Sequence, residues 1–318
     1  MASARIVVVT GAGGFVGVPL VELLLASGTE VRAAVRRESA ALARLAARGR
    51  LRQVVVGDIA AAANWPGAWP AALAGAGAVV HLAARVHAPR ASSGGEAAAF
   101  TATNSDATLR LAQAAARAGV ERIVFLSSAK AGLDAHDAYA VSKSEAERAL
   151  REASRGLGIE CTIVRSPLVY GPGVRANFLR LMRLVDTGMP LPFASIANRR
   201  SLVYVGNLVD ALRACGDDAR AAGRTFDVSD GEDVSTPELA RRIARALGRT
   251  ARLFPLPVPL LAFAGRVAGR AAAMERLTGD LCVDATAIRE TLGWRAPFRM
   301  QQGLRETALW FRSARSAR

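Results

Sequence analysis

Residues 5–17 read RIVVVTGAGGFVG. An apolar, β-branched run enters a turn carrying glycines at 11, 14 and 17, and a helical pattern, GVPLVELLLASG (17–28), follows at once. Strand, glycine turn and helix in that order have a physical use. Glycine lets the backbone turn tightly and approach a pyrophosphate, and the helix N-terminus presents its N–H groups to the phosphates. The spacing G-x-x-G-x-x-G says little alone, and gains weight from its place at the first strand-to-helix turn of an alternating chain. It predicts a dinucleotide site on Gly11, Gly14, Phe15, Val16 and Gly17.

The alternation continues. RIVVV (5–9), EVRAAV (30–35), QVVVG (53–57), AVVHLA (78–83), RIVFLSS (122–128) and CTIVRS (161–166) read as buried parallel strands. Helical stretches such as NSDATLRLAQAAARAG (104–119) and AYAVSKSEAERALREAS (138–154) separate them. The pattern predicts an α/β fold, a doubly wound parallel sheet of the Rossmann kind over 1–166, with return segments near 201–230. From about residue 167 the chain loosens into Pro- and Gly-rich connections, as in MPLPFASIANRR (189–200), which predicts a smaller C-terminal substrate lobe over 167–318. TPELARRIARALG (236–248) is a further helix, with Ser235 as its cap and Pro237 in its first turn.

The 318 residues are 51% apolar, enough for a sizeable core. The net charge of +15 would suit a polyanion, but the arginines are scattered through helical patterns. An anionic small substrate is therefore expected, and no nucleic acid. Cys161, Cys215 and Cys282 lack paired spacing and read as buried thiols in a reducing compartment. No long apolar leader follows Met1, so a cytoplasmic location is expected. The apolar stretch PLPVPLLAFAGRVAGRAAAM (255–274) is broken by Arg266 and Arg270 before it could span a bilayer. It predicts packing within the protein rather than a helix on a membrane surface, and no integral membrane segment.

The end of the second strand bears on the choice of dinucleotide. It reads AAVRR, with Arg36 and Arg37 where an NAD site commonly places an acid for the ribose hydroxyls. A guanidinium fork suits a 2'-phosphate, which favours NADP(H) over NAD(H). Asp58 and Ile59 in VVGDIA, Leu82, Ala83 and Ala84 in HLAA, and Asn104 complete the expected cofactor-lining set. His81 reads as a packed residue, since neither His87 nor His136 stands at a ligand spacing with it, and no metal site is expected.

Of the 42 cations only Lys130 and Lys143 are lysines, and Lys143 stands four residues after Tyr139, one of three tyrosines. On a helix those positions share a face. At about 4 Å and an effective dielectric of about 20, their Coulomb term is about 4 kcal/mol, enough to lower a phenol's pKa by about three units toward neutrality. Such a phenol could act as an acid-base catalyst.

Taken with TGAGGFVG, the stretches SSA (127–129), YAVSK (139–143) and RSPLVYGPG (165–173) resemble the extended short-chain dehydrogenases of the NAD-dependent epimerase/dehydratase family. The similarity runs nearly end to end, to ETLGW (290–294) and QQGL (301–304). SPLVYGPGVRANFLRLM (166–182) and RRSLVYVGNLVDAL (199–212) are similar to the bacterial surface-polysaccharide (O-antigen) branch of UDP-hexose 4-epimerases and UDP-N-acetylquinovosamine dehydrogenases. The resemblance implies Tyr139 as general acid/base, Lys143 as its partner and ribose anchor, and Ser128 as the hydroxyl that orients the sugar. Ser128 fits better than Ser127, because the family's catalytic residue directly precedes the small residue matched by Ala129. It further implies Asn177 and Arg200, with Arg276 assisting, around the diphosphate of a nucleotide sugar. It also implies a homodimer through the helices at 104–118 and 139–155.

Two departures shape the expected reaction. Ala129 and Lys130 follow Ser128 where the family's dehydratases carry Asp and Glu, which argues against dehydration. Only ten residues separate Ser128 from Tyr139, a short loop for the family. The triad serves two chemistries equally. Arg36 and Arg37 incline the reading to an NADPH-dependent 4-ketoreductase, with a UDP-hexose 4-epimerase using bound NAD as the alternative. A non-catalytic dinucleotide sensor is more distant, because both Tyr139 and Lys143 are present.

Overall fold

The computed structural model describes residues 6–47, 49–86, 95–131, 133 and 137–316. They form two compact units. One comprises the chain up to Ser166 with Leu208–Val228 and Ala285–Arg295, and the other Pro167–Asn207, Ser229–Asp284 and the chain from Ala296 onward.

The first unit is built on β1 (Ile6–Thr10), β2 (Glu30–Val35), β3 (Leu51–Val55), β4 (Ala78–His81), β5 (Arg122–Ser128) and β6 (Glu160–Ser166). Val8, Val9, Val79, Val124 and Val164 are buried, as expected of strands covered on both faces. The strands run parallel in the order β3-β2-β1-β4-β5-β6, with helices between them, a Rossmann-type doubly wound sheet. A seventh strand absent from the sequence reading, Thr225–Asp227, pairs parallel with β6 at the sheet's edge. At three residues it has no apolar run to betray it.

Two helices frame the ends of β4 and β5, one longer than the sequence implied and one starting where it was expected. The stretch at 104–119 belongs to a longer helical run of α-helix Glu96–Phe100, π-helix Thr101–Asp106 and α-helix Ala107–Arg117. The other is Ala138–Leu157, whose start is fixed by Asp137: its carboxylate accepts from the N–H groups of Tyr139 at 3.0 Å and Ala140 at 3.3 Å. Gly158, in the left-handed conformation at φ +66, ends it.

The second unit holds a small sheet in which Arg200–Tyr204 pairs parallel with Leu168–Tyr170 and antiparallel with Asp233–Val234. Tyr170 is fully buried, and its hydroxyl donates to Asp230 at 2.7 Å. Asp230 also accepts from the Tyr204 N–H and the Asn207 amide, so one carboxylate ties this core together. The helix Thr236–Ala246 begins at Ser235, whose hydroxyl accepts from the Glu238 N–H at 3.3 Å.

Two further expectations are corrected. Cys161 and Cys215 are buried, but Cys282 is exposed, its thiol directed at the Arg199 carbonyl. The stretch 255–274 folds into helices Val258–Val267 and Ala271–Thr278, and only part of it packs inward: Leu261 is buried, whereas Leu260, Phe263 and Val267 are exposed. Among the described residues no helix is long and apolar enough to cross a membrane.

Candidate active site

The site is laid out by register. Thr10 pairs with His81, and His81 with Phe125, so the ends of β1, β4 and β5 stand side by side at one edge of the sheet. The glycine turn leaves β1 at this edge, HLAA leaves β4, and Ser128 ends β5 three residues beyond Phe125.

Gly11 adopts φ +65, and a Cβ there would lie 2.8 Å from the Ala83 backbone nitrogen. A Cβ on Gly17 would lie 2.3 Å from the Gly11 carbonyl oxygen. Both positions therefore require glycine, the first for its conformation and the second so that the helix can close on the turn. No side chain caps the helix Gly17–Ala26; the Gly14 carbonyl accepts from the Val18 N–H at 3.1 Å, and Pro19 in the first turn carries no N–H. A glycine-rich turn leading into a helix N-terminus without a side-chain cap fits the pyrophosphate of a dinucleotide.

The segment after β4 is held from beneath. The Thr10 hydroxyl accepts from the N–H groups of Leu82 and Ala83, both at 3.1 Å, and donates to Nδ1 of His81 at 2.6 Å. The Thr108 hydroxyl donates to the Asn104 carbonyl, so it receives the proton on His81 Nε2 at 2.9 Å. That network sets the neutral Nε2–H tautomer. Burial, and then the nearby Lys143 charge, bring the His81 pKa down to about 3. His81 is thus a packed, hydrogen-bonded histidine, as its sequence context implied. His87 and His136 lie outside the described residues, among which no metal-holding cluster occurs.

Asn104 sits in the π-helical turn, a distortion common at functional sites. Its amide accepts from the Arg85 N–H and donates to the Arg85 carbonyl and to Ser142. It thereby braces the strand-end segment against the helix of Tyr139. The Ile59 side chain is buried in the core cluster, and Asp58 is exposed, accepting from the Ala60 N–H. Arg36 and Arg37 are exposed just past β2.

Tyr139 and Lys143 lie on the first turns of Ala138–Leu157, with the Tyr139 ring edge-on to Phe100 at 6.0 Å. The expected phenol–ammonium coupling is not the dominant effect here. Burial raises the Tyr139 pKa; the Ser128 hydroxyl favours the phenolate, and Asp137 opposes it. Lys143 is buried, and its amine donates to the Leu126 carbonyl at 2.7 Å, 4.0 Å from the centre of the Phe125 ring. Burial lowers its pKa to about 7, against an upward pull from Glu147. The spacing put both residues on one face, but the long lysine stem carries its charge to the β5 backbone.

The two candidate serines separate by their partners. Ser127 donates to Glu147 at 2.6 Å, whereas Ser128 sits beside Tyr139 and accepts from the Lys130 N–H at 3.2 Å. The chain's other lysine also serves the site, since the Lys130 amine pairs with Asp137 at 2.9 Å.

Glu147 was missed from the sequence. Its side chain is 2% exposed, and Arg165 grips it through two nitrogens, at 2.8 and 2.6 Å, with Arg151 at 3.0 Å. The available signal was an acid on the stripe Ala140, Lys143, Ala146, Glu147, Leu150, the buried face of the helix.

In the second unit, Arg200 donates through one nitrogen to the carbonyls of Arg276 and Gly279, at 2.7 and 2.8 Å. It therefore closes the end of the helix Ala271–Thr278. Arg276 and Asn177 are exposed. Ala176, just before Asn177, holds φ +52, the one non-glycine positive φ among the described residues. Such strain clusters at functional positions.

Comparison with known proteins agrees with this geometry. The model of the NAD dependent epimerase/dehydratase family matches residues 7–229. A UDP-glucose 4-epimerase of Vibrio cholerae is 39% identical over 97% of this chain and 96% of its own length. Among solved structures, the DesIV double mutant (dTDP-glucose 4,6-dehydratase) from Streptomyces venezuelae with NAD and DAU bound is 27% identical, covers 98% of both chains and superposes with a TM-score of 0.77. MoeE5 in complex with UDP-glucuronic acid and NAD is 26% identical, covers 97% of this chain and 99% of its own, and has a TM-score of 0.74.

Proposed function

The chain belongs to the NAD dependent epimerase/dehydratase family, and within it we propose hydride transfer at C4 of a UDP-hexose, in the manner of a 4-epimerase. It is an enzyme of this family and uses a nicotinamide dinucleotide, NAD(H) or NADP(H). The observation that carries the reading is the grouping of Ser128, Tyr139 and Lys143 beside the glycine turn, in a chain similar over nearly its whole length to a UDP-glucose 4-epimerase.

When bound, the dinucleotide supplies the hydride acceptor and donor. In the proposed roles, Tyr139 takes the proton of the sugar 4-hydroxyl on oxidation and returns it on reduction. Ser128 orients that oxygen, and Lys143 holds a ribose hydroxyl. Asn177, Arg200 and Arg276 are proposed for the diphosphate, which calls for cationic forks and amide donors. Ala129 and Lys130 supply no acid for eliminating water, and Lys130 already pairs with Asp137. A homodimer through the helical faces at 104–118 and 139–155 belongs to the same proposal and is tested by light scattering.

A second reading, an NADPH-dependent 4-ketoreductase, is favoured by the exposed Arg36 and Arg37 at the end of β2. The raised Tyr139 pKa supports it too, since reduction begins from a protonated phenol. Incubation with UDP-glucose and UDP-N-acetylglucosamine without added cofactor, and with a UDP-4-keto-6-deoxy-hexosamine plus NADPH, separates the two. Interconversion of 4-epimers with no net cofactor consumption supports the epimerase. Stoichiometric NADPH oxidation without epimerisation supports the reductase, and inactivity on both substrate classes overturns the proposal.

A further inference from the structure

The helix Val258–Val267 is apolar on two sides. Leu261 and Gly265 are buried, and Met274 fills the space that a Gly265 Cβ would need. Leu260, Phe263, Ala264 and Val267, spaced i, i+3, i+4, i+7, all face solvent, with Leu260 55%, Phe263 65% and Val267 75% exposed. Single exposed apolar residues need no explanation, but a continuous stripe of four on a helix already packed along its other side does.

Along the stretch itself the charges are of one sign, and the next acid in the chain is Glu275. From Arg252 to Met274 the chain carries three arginines, Arg252, Arg266 and Arg270, and no acid. None of the three has an ion-pair partner among the described residues. Arg266 falls about 100° round the helix from the middle of the stripe, a flanking position from which a long stem reaches past apolar neighbours.

We infer that Leu260, Phe263, Ala264 and Val267, with the flanking Arg266 and Arg270, form a docking surface for an anionic lipid bilayer. A ten-residue helix rises about 15 Å, half of what a crossing needs, so it would lie in the plane of the interface. There the apolar stripe enters the acyl boundary while the guanidinium groups stay at the level of the lipid phosphates. A protein partner covering the stripe would also have to meet these unpaired cations, whereas an anionic bilayer satisfies both demands at once. The inference does not depend on which sugar the chain acts on.

The test is flotation of the full chain with vesicles of phosphatidylcholine, alone or mixed with phosphatidylglycerol, at low and raised salt. Recovery at least about tenfold higher with the anionic vesicles, and weakened by salt, is expected. Phe263→Glu with Val267→Glu should lower binding by about tenfold or more, and Arg266→Ala with Arg270→Ala should remove the preference for anionic lipid. Unchanged melting temperature and dinucleotide affinity establish that each variant is folded; the arginine pair, fully on the surface, keeps the test open if the glutamate pair misfolds. Failure of the parent chain to bind anionic vesicles overturns the inference, as does undiminished binding by the glutamate pair. Absence of lipid binding by the parent chain, together with loss of a dimer in the glutamate pair, overturns it by assigning the stripe to a second copy.

Discussion

The Ser127 hydroxyl donates to Oε1 of Glu147 at 2.6 Å, joining the strand that ends in Ser128 to the helix that carries Tyr139 and Lys143. Arg165 on β6 completes the tie. Burial alone would raise the Glu147 pKa, but Arg165, Ser127 and Arg151 together hold it below the ordinary 4.5. A carboxylate depressed on folding stabilises above its unfolded value, and that contribution is lost as pH falls below about 4.5 through the lower folded value. Glu147→Ala should therefore cost stability, at or under the low end of about 3–5 kcal/mol because both arginines are partly solvated. Glu147→Gln should show a shallower acid-induced loss than the parent. Denaturant titrations between pH 3 and pH 7 check both.

Lys143 titrates near 7 when folded and at 10.5 when free, so between those values the unfolded chain binds more protons. Its contribution to stability must then rise with pH across that window. Lys143→Met should be more stable than the parent at pH 7 without cofactor, and the difference should shrink toward pH 10. Denaturation of both proteins at several pH values tests the sign.

Tyr139→Phe keeps the ring beside Phe100 and removes only the hydroxyl. Turnover should fall by about 10²–10⁴ while dinucleotide affinity stays within about twofold. Steady-state rates and fluorescence titration measure the two; turnover equal to the parent's would remove Tyr139 from the chemistry.

Gly17→Ala would place a methyl 2.3 Å from the Gly11 carbonyl and 2.5 Å from that of Ala12, both backbone atoms with little freedom to yield. A loss of about 1–3 kcal/mol in stability is expected, together with weaker dinucleotide binding. Thermal melts with and without NAD separate the two effects.

Arg36→Ala with Arg37→Ala addresses the choice of dinucleotide. Charge-assisted hydrogen bonds contribute about 1.5–3 kcal/mol, so the pair should lose about 10- to 100-fold in NADPH affinity and little in NADH affinity. Equal affinities before and after the change would indicate an NAD site.

The first six strands were legible because buried parallel strands must be nearly continuous apolar runs, and Ile6–Thr10 or Arg122–Ser128 have no other reading at that length. Thr225–Asp227 was not, since three residues at an edge become a strand only through their neighbour β6. The glycine turn was legible because crowding at Gly11 and Gly17 excludes any side chain. The direction of the Tyr139 shift was not: helical spacing places two side chains on one face, but burial and the reach of a four-carbon stem toward Leu126 are tertiary facts. Likewise the period of Leu260, Phe263 and Val267 is plain in the sequence, yet a helix apolar on both sides does not say which side faces inward.

Lys130 and Asp137 meet at 2.9 Å, and Asp137 in turn anchors the N–H groups at the head of the helix bearing Tyr139. Ser128 and Tyr139 are thus joined by a connection whose two ends, Lys130 and Asp137, are clasped to each other. Such a clasped stem is a natural splice point. Exchanging the residues between Lys130 and Asp137 should leave the clasp, and the head of the helix Ala138–Leu157 that Asp137 anchors, in place.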